Sequence, residues 1–88
     1  MRIKDGFLLR EIGDRTVVVP VGAKTLDFRC IMTLNESGAL LWRSLQQDTD
    51  QSALAAILLA EYEVDEAKAA ADAASFVATL REKGLLDE

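Results

Sequence analysis

The segment KTLDFRCIMTLNESGALLW, residues 24–42, decides the fold because its hydrophobic period changes partway along. Apolar and polar side chains alternate through Thr25–Ile31, with Leu26, Phe28 and Cys30 on one side and Thr25, Asp27 and Arg29 on the other. This alternation predicts a half-buried strand with one solvated face. From Leu34 onward the apolar residues recur at helical spacing, so the sequence predicts a strand that is followed directly by a helix.

The start of this helix has two candidate N-caps, Thr33 and Asn35, and Glu36 follows Thr33 at the spacing of a capping box. The predicted buried face consists of Leu34, Gly38, Leu41, Trp42 and Leu45. A glycine inside a helix costs about 1 kcal/mol relative to alanine. Two explanations for Gly38 stay open, namely a close approach by another backbone and fraying near the first turn.

Two β-rich runs precede this segment, FLLREI at Phe7–Ile12 and RTVVVPV at Arg15–Val21. The two residues between them, Gly13 and Asp14, predict a β-hairpin. Pro20 has no backbone N–H, so it marks the end of the second strand or an edge position.

Two further helices are predicted after a polar loop at Gln46–Asp50, the first capped by Thr49 or Asp50 and the second by Asp65. Their inward residues are Leu54, Ile57, Leu58 and Tyr62, then Ala69, Ala73, Phe76, Val77 and Leu80. Lys83 and Gly84 give a stop signal, after which Leu85 and Leu86 are expected to fold back on the core. The order β-β-β-α-α-α predicts one α+β domain over residues 1–88, with a three-stranded antiparallel sheet followed by three helices on one face.

Composition limits the possible functions. The chain of 88 residues carries a net charge of −5, with its basic residues single and interspersed, which disfavours nucleic acid and favours a basic or extended peptide as partner. Its one cysteine permits no internal disulfide. We see no signal peptide and no apolar run near the roughly 18 residues of a membrane span, so the prediction is a cytoplasmic protein with no membrane partner.

Catalytic and metal-binding patterns are missing from the sequence. It contains no histidine, which removes the usual general base and the commonest metal ligand. Cys30 alternates with Leu26 and Phe28 and is interpreted as a small core hydrophobe. The acidic run Glu61–Asp72 lacks the ligand spacing and the glycine of a calcium loop. The sequence therefore predicts no enzyme, no catalytic residue, no metal and no cofactor.

The run TLNESGALLW resembles the strand-to-helix signature of the PqqD family, L-N-x-[ST]-G-x-x-[hydrophobic]-W. The matching positions are Leu34, Asn35, Ser37, Gly38, Leu41 and Trp42. The closing segment YEVDEAKAAADAASFVATLREKGLL, residues 62–86, and the opening IKDGFLLREIGDRTVVVPVG, residues 3–22, are also similar to that family. The resemblance covers nearly the whole chain.

This resemblance implies a winged-helix-like fold and a non-catalytic role as a recognition element for ribosomally made, modified peptides. Such domains bind the leader part of a precursor peptide and deliver it to a modifying enzyme, often a radical SAM protein. The leader adds as an extra strand to the third strand, in the cleft against the third helix. An exposed strand edge offers unpaired backbone groups for this kind of binding.

Site residues follow from the same resemblance. The strand edge is assigned to Thr25, Leu26, Asp27, Phe28, Arg29 and Cys30. Ala70, Asp72, Ala74 and Val77 of the third helix are candidates for the other wall of the cleft. Which face of this helix lines the cleft stays open, since Ala69, Ala73 and Phe76 are needed for the core.

Two alternatives remain beside the adaptor. A self-associating structural module would pair the same strand edge with a second copy and form a homodimer. A DNA-binding winged helix is disfavoured by the net charge and by the acidic start of the third helix, VDEAKAAAD.

Overall fold

The computed structural model describes residues 1–21 and 32–88. Its elements are β1 (Arg2–Ile3), β2 (Phe7–Ile12), β3 (Arg15–Pro20), β4 (Met32–Leu34), α1 (Glu36–Ser44), α2 (Gln51–Glu61), α3 (Glu66–Glu82) and β5 (Leu86–Asp87). Strands β2, β3 and β4 form an antiparallel sheet in that order, and β1 pairs with β5 in a second, two-stranded sheet. The predicted α+β class, three-stranded sheet and three helices are confirmed, whereas the predicted strand Thr25–Ile31 lies outside the described residues.

The predicted hairpin is formed by β2 and β3. Ile12 pairs with Arg15, so Gly13 and Asp14 make the two-residue connection, and Gly13 takes a left-handed φ of 64° that suits a glycine. Pro20 ends β3 opposite Phe7, as predicted. The next residue supplies a backbone donor again, since Val21 N–H donates to the carbonyl of Gly6 at 2.9 Å.

The junction between β4 and α1 differs from the prediction at Thr33 and at Leu34, because Leu34, which was predicted on the buried face of the helix, is the last residue of β4. Thr33 lies within β4, opposite Val17, so it does not cap the helix. Asn35 is the N-cap, and its Oδ1 accepts hydrogen bonds from Gly38 N–H at 2.8 Å and Ser37 Oγ at 3.1 Å. The capping-box prediction for Thr33 and Glu36 is therefore wrong, because the strand continues to the residue before the cap.

Gly38 is buried in the first turn of α1 and is not frayed. A β-carbon there would lie 3.1 Å from Asn35 Oδ1 and 3.4 Å from the side chain of Leu34. Neither explanation from the sequence is therefore right, because the atoms close to Gly38 belong to the side chains of Asn35 and Leu34 and not to another backbone.

The core lies between one face of the three-stranded sheet and the three helices. Its buried members are Ile3, Val18, Leu34, Leu41, Trp42, Leu45, Leu54, Leu58, Ala69, Ala73, Val77, Leu80, Leu85 and Leu86. The predicted inward residues Ile57, Tyr62 and Phe76 are partly buried and pack against it. The small Ala69 and Ala73 are fully buried on α3, which allows α3 to pack closely on α2.

The other helix ends agree with the prediction. Asp50 Oδ1 accepts from Ala53 N–H at 2.8 Å, and Asp65 Oδ1 accepts from Lys68 N–H at 2.7 Å, so these two residues cap α2 and α3. Gly84 follows α3 with a φ of 73°.

The fold-back of Leu85 and Leu86 is confirmed, and it completes a pairing that the sequence did not predict. Leu86 is the cross-strand partner of Ile3, and Lys4 N–H donates to the carbonyl of Leu85 at 2.9 Å. On its other side Ile3 N–H donates to the carbonyl of Leu45 at 2.9 Å. Strand β1 therefore ties the C-terminal end of α1 to β5.

Candidate functional site

An open groove of about 720 Å³ lies between β4, the first turn of α1 and one side of α3, and is called here the β4–α3 groove. Its lining residues are Met32, Thr33, Leu34, Asn35, Ser37, Gly38, Leu41, Leu58, Lys68, Asp72, Ser75, Phe76 and Thr79. The groove brings together a strand at the end of the described sheet and the helix that was predicted to face it.

One wall of the groove is β4. It is the last strand in the described sheet order β2-β3-β4 and pairs with β3 through Thr16↔Leu34, Val17↔Thr33 and Val18↔Met32. Leu34 is 7% exposed and belongs to the core, whereas Thr33 is exposed. Strand β4 follows the predicted Thr25–Ile31 strand directly in sequence, so the described part of this wall begins at Met32, the residue after Ile31.

The other wall is one face of α3. The residues on this face are Lys68, Asp72, Ser75, Phe76 and Thr79. The core face of the same helix consists of Ala69, Ala73, Val77 and Leu80. Both sets repeat at helical spacing, and successive residues of a helix are rotated by roughly 100°. Helix α3 therefore presents two neighbouring stripes, a small apolar one to the core and a larger, more polar one to the groove.

The predicted helix residues are distributed differently from the prediction. Asp72 lines the β4–α3 groove, but Ala70 is exposed away from it and Ala74 is partly buried outside its lining. Val77 is 0% exposed and packs in the core, because it belongs to the stripe that starts at Ala69. The strand positions Thr25, Leu26, Asp27, Phe28, Arg29 and Cys30 lie outside the described residues, and their role in binding stays a prediction.

Four groove residues of α3 were missed from the sequence, namely Lys68, Ser75, Phe76 and Thr79. Phe76 had been assigned to the core, and it does pack against the core while also lining the groove. The signal that was available is the spacing from Asp72, which lies at i+4 from Lys68 and at i−4 from Phe76.

The floor of the groove is apolar and its rim is charged. Leu41, Leu58 and Phe76 supply the apolar surface. On the rim, Lys68 Nζ lies 3.2 Å from Asp72 Oδ2, and both side chains are more than half exposed, at 62% and 51%. An exposed pair of this i,i+4 kind stabilises a helix by only about 0.3–0.5 kcal/mol.

A second pocket of about 370 Å³ adjoins the groove and is called here the Tyr62 pocket. Its lining residues are Asn35, Glu36, Ser37, Leu58, Tyr62, Val64, Lys68 and Asp72. Five of these also line the β4–α3 groove, so the two cavities meet at the N-terminal turns of α1 and α3.

Tyr62 is partly buried in this pocket. Burial of the ring raises the pKa of Tyr62, and the negative charges of Glu36 and Glu61 raise it further. The phenol of Tyr62 therefore stays neutral well into alkaline conditions.

In residues 1–21 and 32–88, no group of three or more histidine, cysteine, aspartate or glutamate side chains is arranged to hold a metal ion. In the same ranges, every helix is too short or too polar to cross a membrane.

Two solved structures resemble this fold. One is described as TbiB1 in complex with the TbiA(beta) leader peptide; it is 24% identical, with a TM-score of 0.75 over 99% of this chain and 95% of that chain. The other is described as lasso peptide synthetase B1 complexed with the leader peptide; it is 24% identical, with a TM-score of 0.72 over 96% of this chain and 93% of that chain. At this identity the likeness establishes a shared fold. A comparison with curated protein sequences finds no match.

The sequence matches a protein-family model as well. The model is that of coenzyme PQQ synthesis protein D (PqqD), and it matches residues 22–86, which is most of the chain. The match includes β4, all three helices and every residue that lines the β4–α3 groove and the Tyr62 pocket. The chain belongs to the PqqD family.

Proposed function

We propose that this protein is a non-catalytic adaptor that binds the leader segment of a ribosomally made precursor peptide and presents it to a modifying enzyme. The observation that carries the proposal is the position of the β4–α3 groove, which has a terminal strand of the described sheet as one wall and a helix as the other. Membership of the PqqD family and the leader-peptide complexes of the two similar structures support the same conclusion.

The physical argument is strand addition. A peptide that extends the sheet beyond its last strand gains backbone hydrogen bonds, and its alternate side chains point to opposite faces of the sheet. In this groove one set of side chains would point toward the apolar floor of Leu41, Leu58 and Phe76. The other set would point to solvent. Affinity for the peptide then comes from its backbone hydrogen bonds and from apolar contacts with the floor. Selectivity comes from which peptide side chains fit against the floor.

The rest of the proposal follows from the sequence. A binding role needs no catalytic group, and the chain has no histidine. We assign residues 1–88 to a single peptide-recognition domain in the cytoplasm, where a lone thiol such as Cys30 stays reduced.

The family resemblance favours a radical SAM protein as the modifying enzyme. A homodimer through the same strand edge also stays a prediction, and in it the second copy would compete with the leader.

The test is a titration of isotope-labelled protein with the leader of a short peptide encoded beside this gene, followed by NMR. We expect the amides of Thr33, Leu34 and the groove face of α3 to shift together and to saturate. Resonances that stay unchanged at millimolar leader would contradict the proposal.

A pair of variants on α3 sharpens this test. Ser75 is exposed and lines the groove, whereas Ala70 is exposed on the opposite side of the helix. A tyrosine at position 75 fills the groove without touching the core, so Ser75→Tyr should weaken leader binding at least tenfold, which corresponds to about 1.4 kcal/mol. Ala70→Tyr is the matched control and should stay within about twofold of the parent protein.

Circular dichroism should give the same helix content for both variants. Equal affinities of Ser75→Tyr and Ala70→Tyr for the leader would remove the groove from the binding site. A loss with Ala70→Tyr alone would move the site to the face of α3 that the sequence first suggested.

A further inference from the structure

The Tyr62 pocket lies in an acidic corner of the molecule, where α1 begins, α2 ends and α3 begins. Among residues 1–21 and 32–88, the carboxylates of this corner are Glu36, Glu61, Glu63, Asp65, Glu66 and Asp72, and Lys68 is the cation among them. Asp65 caps α3, and Glu66 lies in the first turn of that helix, which are ordinary places for acids. Glu36, Lys68 and Asp72 are the charged side chains that line the pocket itself.

The charges of the pocket lining do not cancel. Lys68 is neutralised by Asp72, which lies 3.2 Å away. Among residues 1–21 and 32–88, Glu36 has no ion-pair partner, so its negative charge is left over in the pocket. The last turn of α2, which ends beside Tyr62, contains no basic residue to offset the negative end of its helix dipole.

The uncharged part of the lining also suits a lysine or arginine side chain. Tyr62 offers a partly buried aromatic ring, and Leu58 and Val64 offer apolar surface next to it. A lysine or arginine side chain combines a long apolar stem with a cationic head. Such a head is attracted both to a carboxylate and to the face of a tyrosine ring. An acidic side chain would instead face Glu36, and an aliphatic one would leave that charge unpaired.

We propose that the Tyr62 pocket binds a lysine or arginine side chain of the leader peptide, with the cation paired to Glu36 and resting on the ring of Tyr62. This inference rests on the proposed function and names the charge preference of its site. The β4–α3 groove takes the uncharged, extended part of the leader, and the Tyr62 pocket takes the basic residue that flanks it.

The direction of β4 gives the position of that basic residue. Strand β4 runs from Met32 toward Asn35, and the Tyr62 pocket begins at Asn35. The sheet is antiparallel throughout its described strands. A leader strand that continues this antiparallel pattern reaches the pocket at its N-terminal end, so the basic residue precedes the residues that pair with β4.

The first experiment uses small probes that occupy the pocket without strand addition. Nα-acetyl-arginine methylamide and its neutral match, Nα-acetyl-norleucine methylamide, are titrated separately into labelled protein and followed by NMR. We expect the arginine probe to shift the resonances of Glu36, Tyr62 and Val64, and to do so less as salt is added. Equal shifts with the norleucine probe would overturn the proposal.

Two variants with the same change in net charge provide the control. Glu36→Gln removes the charge in the pocket, and it should weaken the arginine probe about threefold, as expected for one exposed ion pair. Glu82→Gln removes an exposed charge at the far end of α3 and should leave the probe unaffected. Equal binding of the probe to both variants would also overturn the proposal.

The leader titration separates this inference from the proposed function. If the leader shifts β4 and α3 in both the parent protein and Glu36→Gln with equal affinity, the cationic subsite is wrong and the adaptor role stands. If the arginine probe binds as expected but the leader shifts neither β4 nor α3, the adaptor role is wrong and the cation preference of the pocket stands alone.

Discussion

Tyr62 is the single tyrosine of the chain, so its ionisation can be followed without interference from another phenol. Burial, Glu36 and Glu61 all raise its pKa above the ordinary value. A group whose pKa is higher in the folded state stabilises the fold fully below its unfolded pKa, and this contribution is lost as the pH rises through the folded pKa. We therefore expect the protein to lose stability in the alkaline range in which Tyr62 ionises.

The near-ultraviolet absorbance of tyrosinate measures this directly. The native protein should titrate at a higher pH than the protein in denaturant, and Glu36→Gln should move the native titration back toward the ordinary value. Glu82→Gln should not move it. A native titration at the ordinary tyrosine pKa would contradict the effects of burial and of the neighbouring Glu36 and Glu61 on the phenol.

The switch from β4 to α1 depends on Asn35. Asn35 directly follows β4, and its side chain caps α1 by accepting a hydrogen bond from Gly38 N–H. The strand therefore passes into the helix without a loop. The sequence offered Thr33 and Asn35 equally, because both residue types are good caps. What separates them is the pairing of Thr33 with Val17, a contact between residues far apart in sequence that local patterns do not report.

At the scale of elements, α3 explains both the success and the failure of prediction from sequence. Its core stripe was predicted correctly at Ala69, Ala73 and Leu80, which follow the helical period and are buried, whereas Val77 was also assigned to the cleft and lies in the core. Apart from Asp72, its groove stripe was missed, because Phe76 was assigned to the core and Lys68, Ser75 and Thr79 look like an ordinary solvated face. A polar helix face becomes the wall of a groove only through the position of β4, which is a property of the tertiary fold.

The small residues of the core stripe should not tolerate enlargement. Ala73 is 0% exposed where α3 packs on α2, so Ala73→Leu forces extra volume between the two helices. Overpacking of this kind typically destabilises by about 1–3 kcal/mol. Ala71→Leu is the matched control, because Ala71 is exposed on the same helix and leucine is a good helix former.

Urea denaturation followed by the fluorescence of Trp42, the single tryptophan and 2% exposed, measures both variants. The midpoint should fall for Ala73→Leu and stay near that of the parent protein for Ala71→Leu. An unchanged midpoint for Ala73→Leu would show that α2 and α3 can move apart at no cost in free energy. The groove between α3 and β4 would then be adjustable rather than rigid.

At the scale of the whole molecule, the fold depends on a contact between its first and last strands. Two-residue strands carry no alternation, so neither β1 nor β5 could be predicted from sequence, although the burial of Leu85 and Leu86 could. Ile3 is 6% exposed, pairs with Leu86 and donates to the carbonyl of Leu45. Ile3 therefore connects β5, which follows α3, to the C-terminal end of α1.

Truncation of Ile3 should therefore destabilise the entire fold. Ile3→Ala leaves a cavity between β5 and α1, with an expected loss of about 2–4 kcal/mol. Small domains have only about 5–15 kcal/mol of total stability, so this loss is a large fraction. Arg2→Ala, at the exposed neighbouring position, is the control and should change stability little. Thermal unfolding of the two variants tests this, and equal melting temperatures would contradict it.

The β1–β5 pairing also has a consequence for protein engineering. Because Arg2 lies opposite Asp87, the first and last strands end side by side on the surface. The domain can therefore be spliced into a surface loop of a host enzyme through two short linkers, with both junctions at one point. It can equally be circularly permuted, with Asp87 joined to Arg2 and new ends opened between α2 and α3. Grafting the domain into a modifying enzyme in this way would place the proposed leader-binding groove and the active site of the enzyme in one chain.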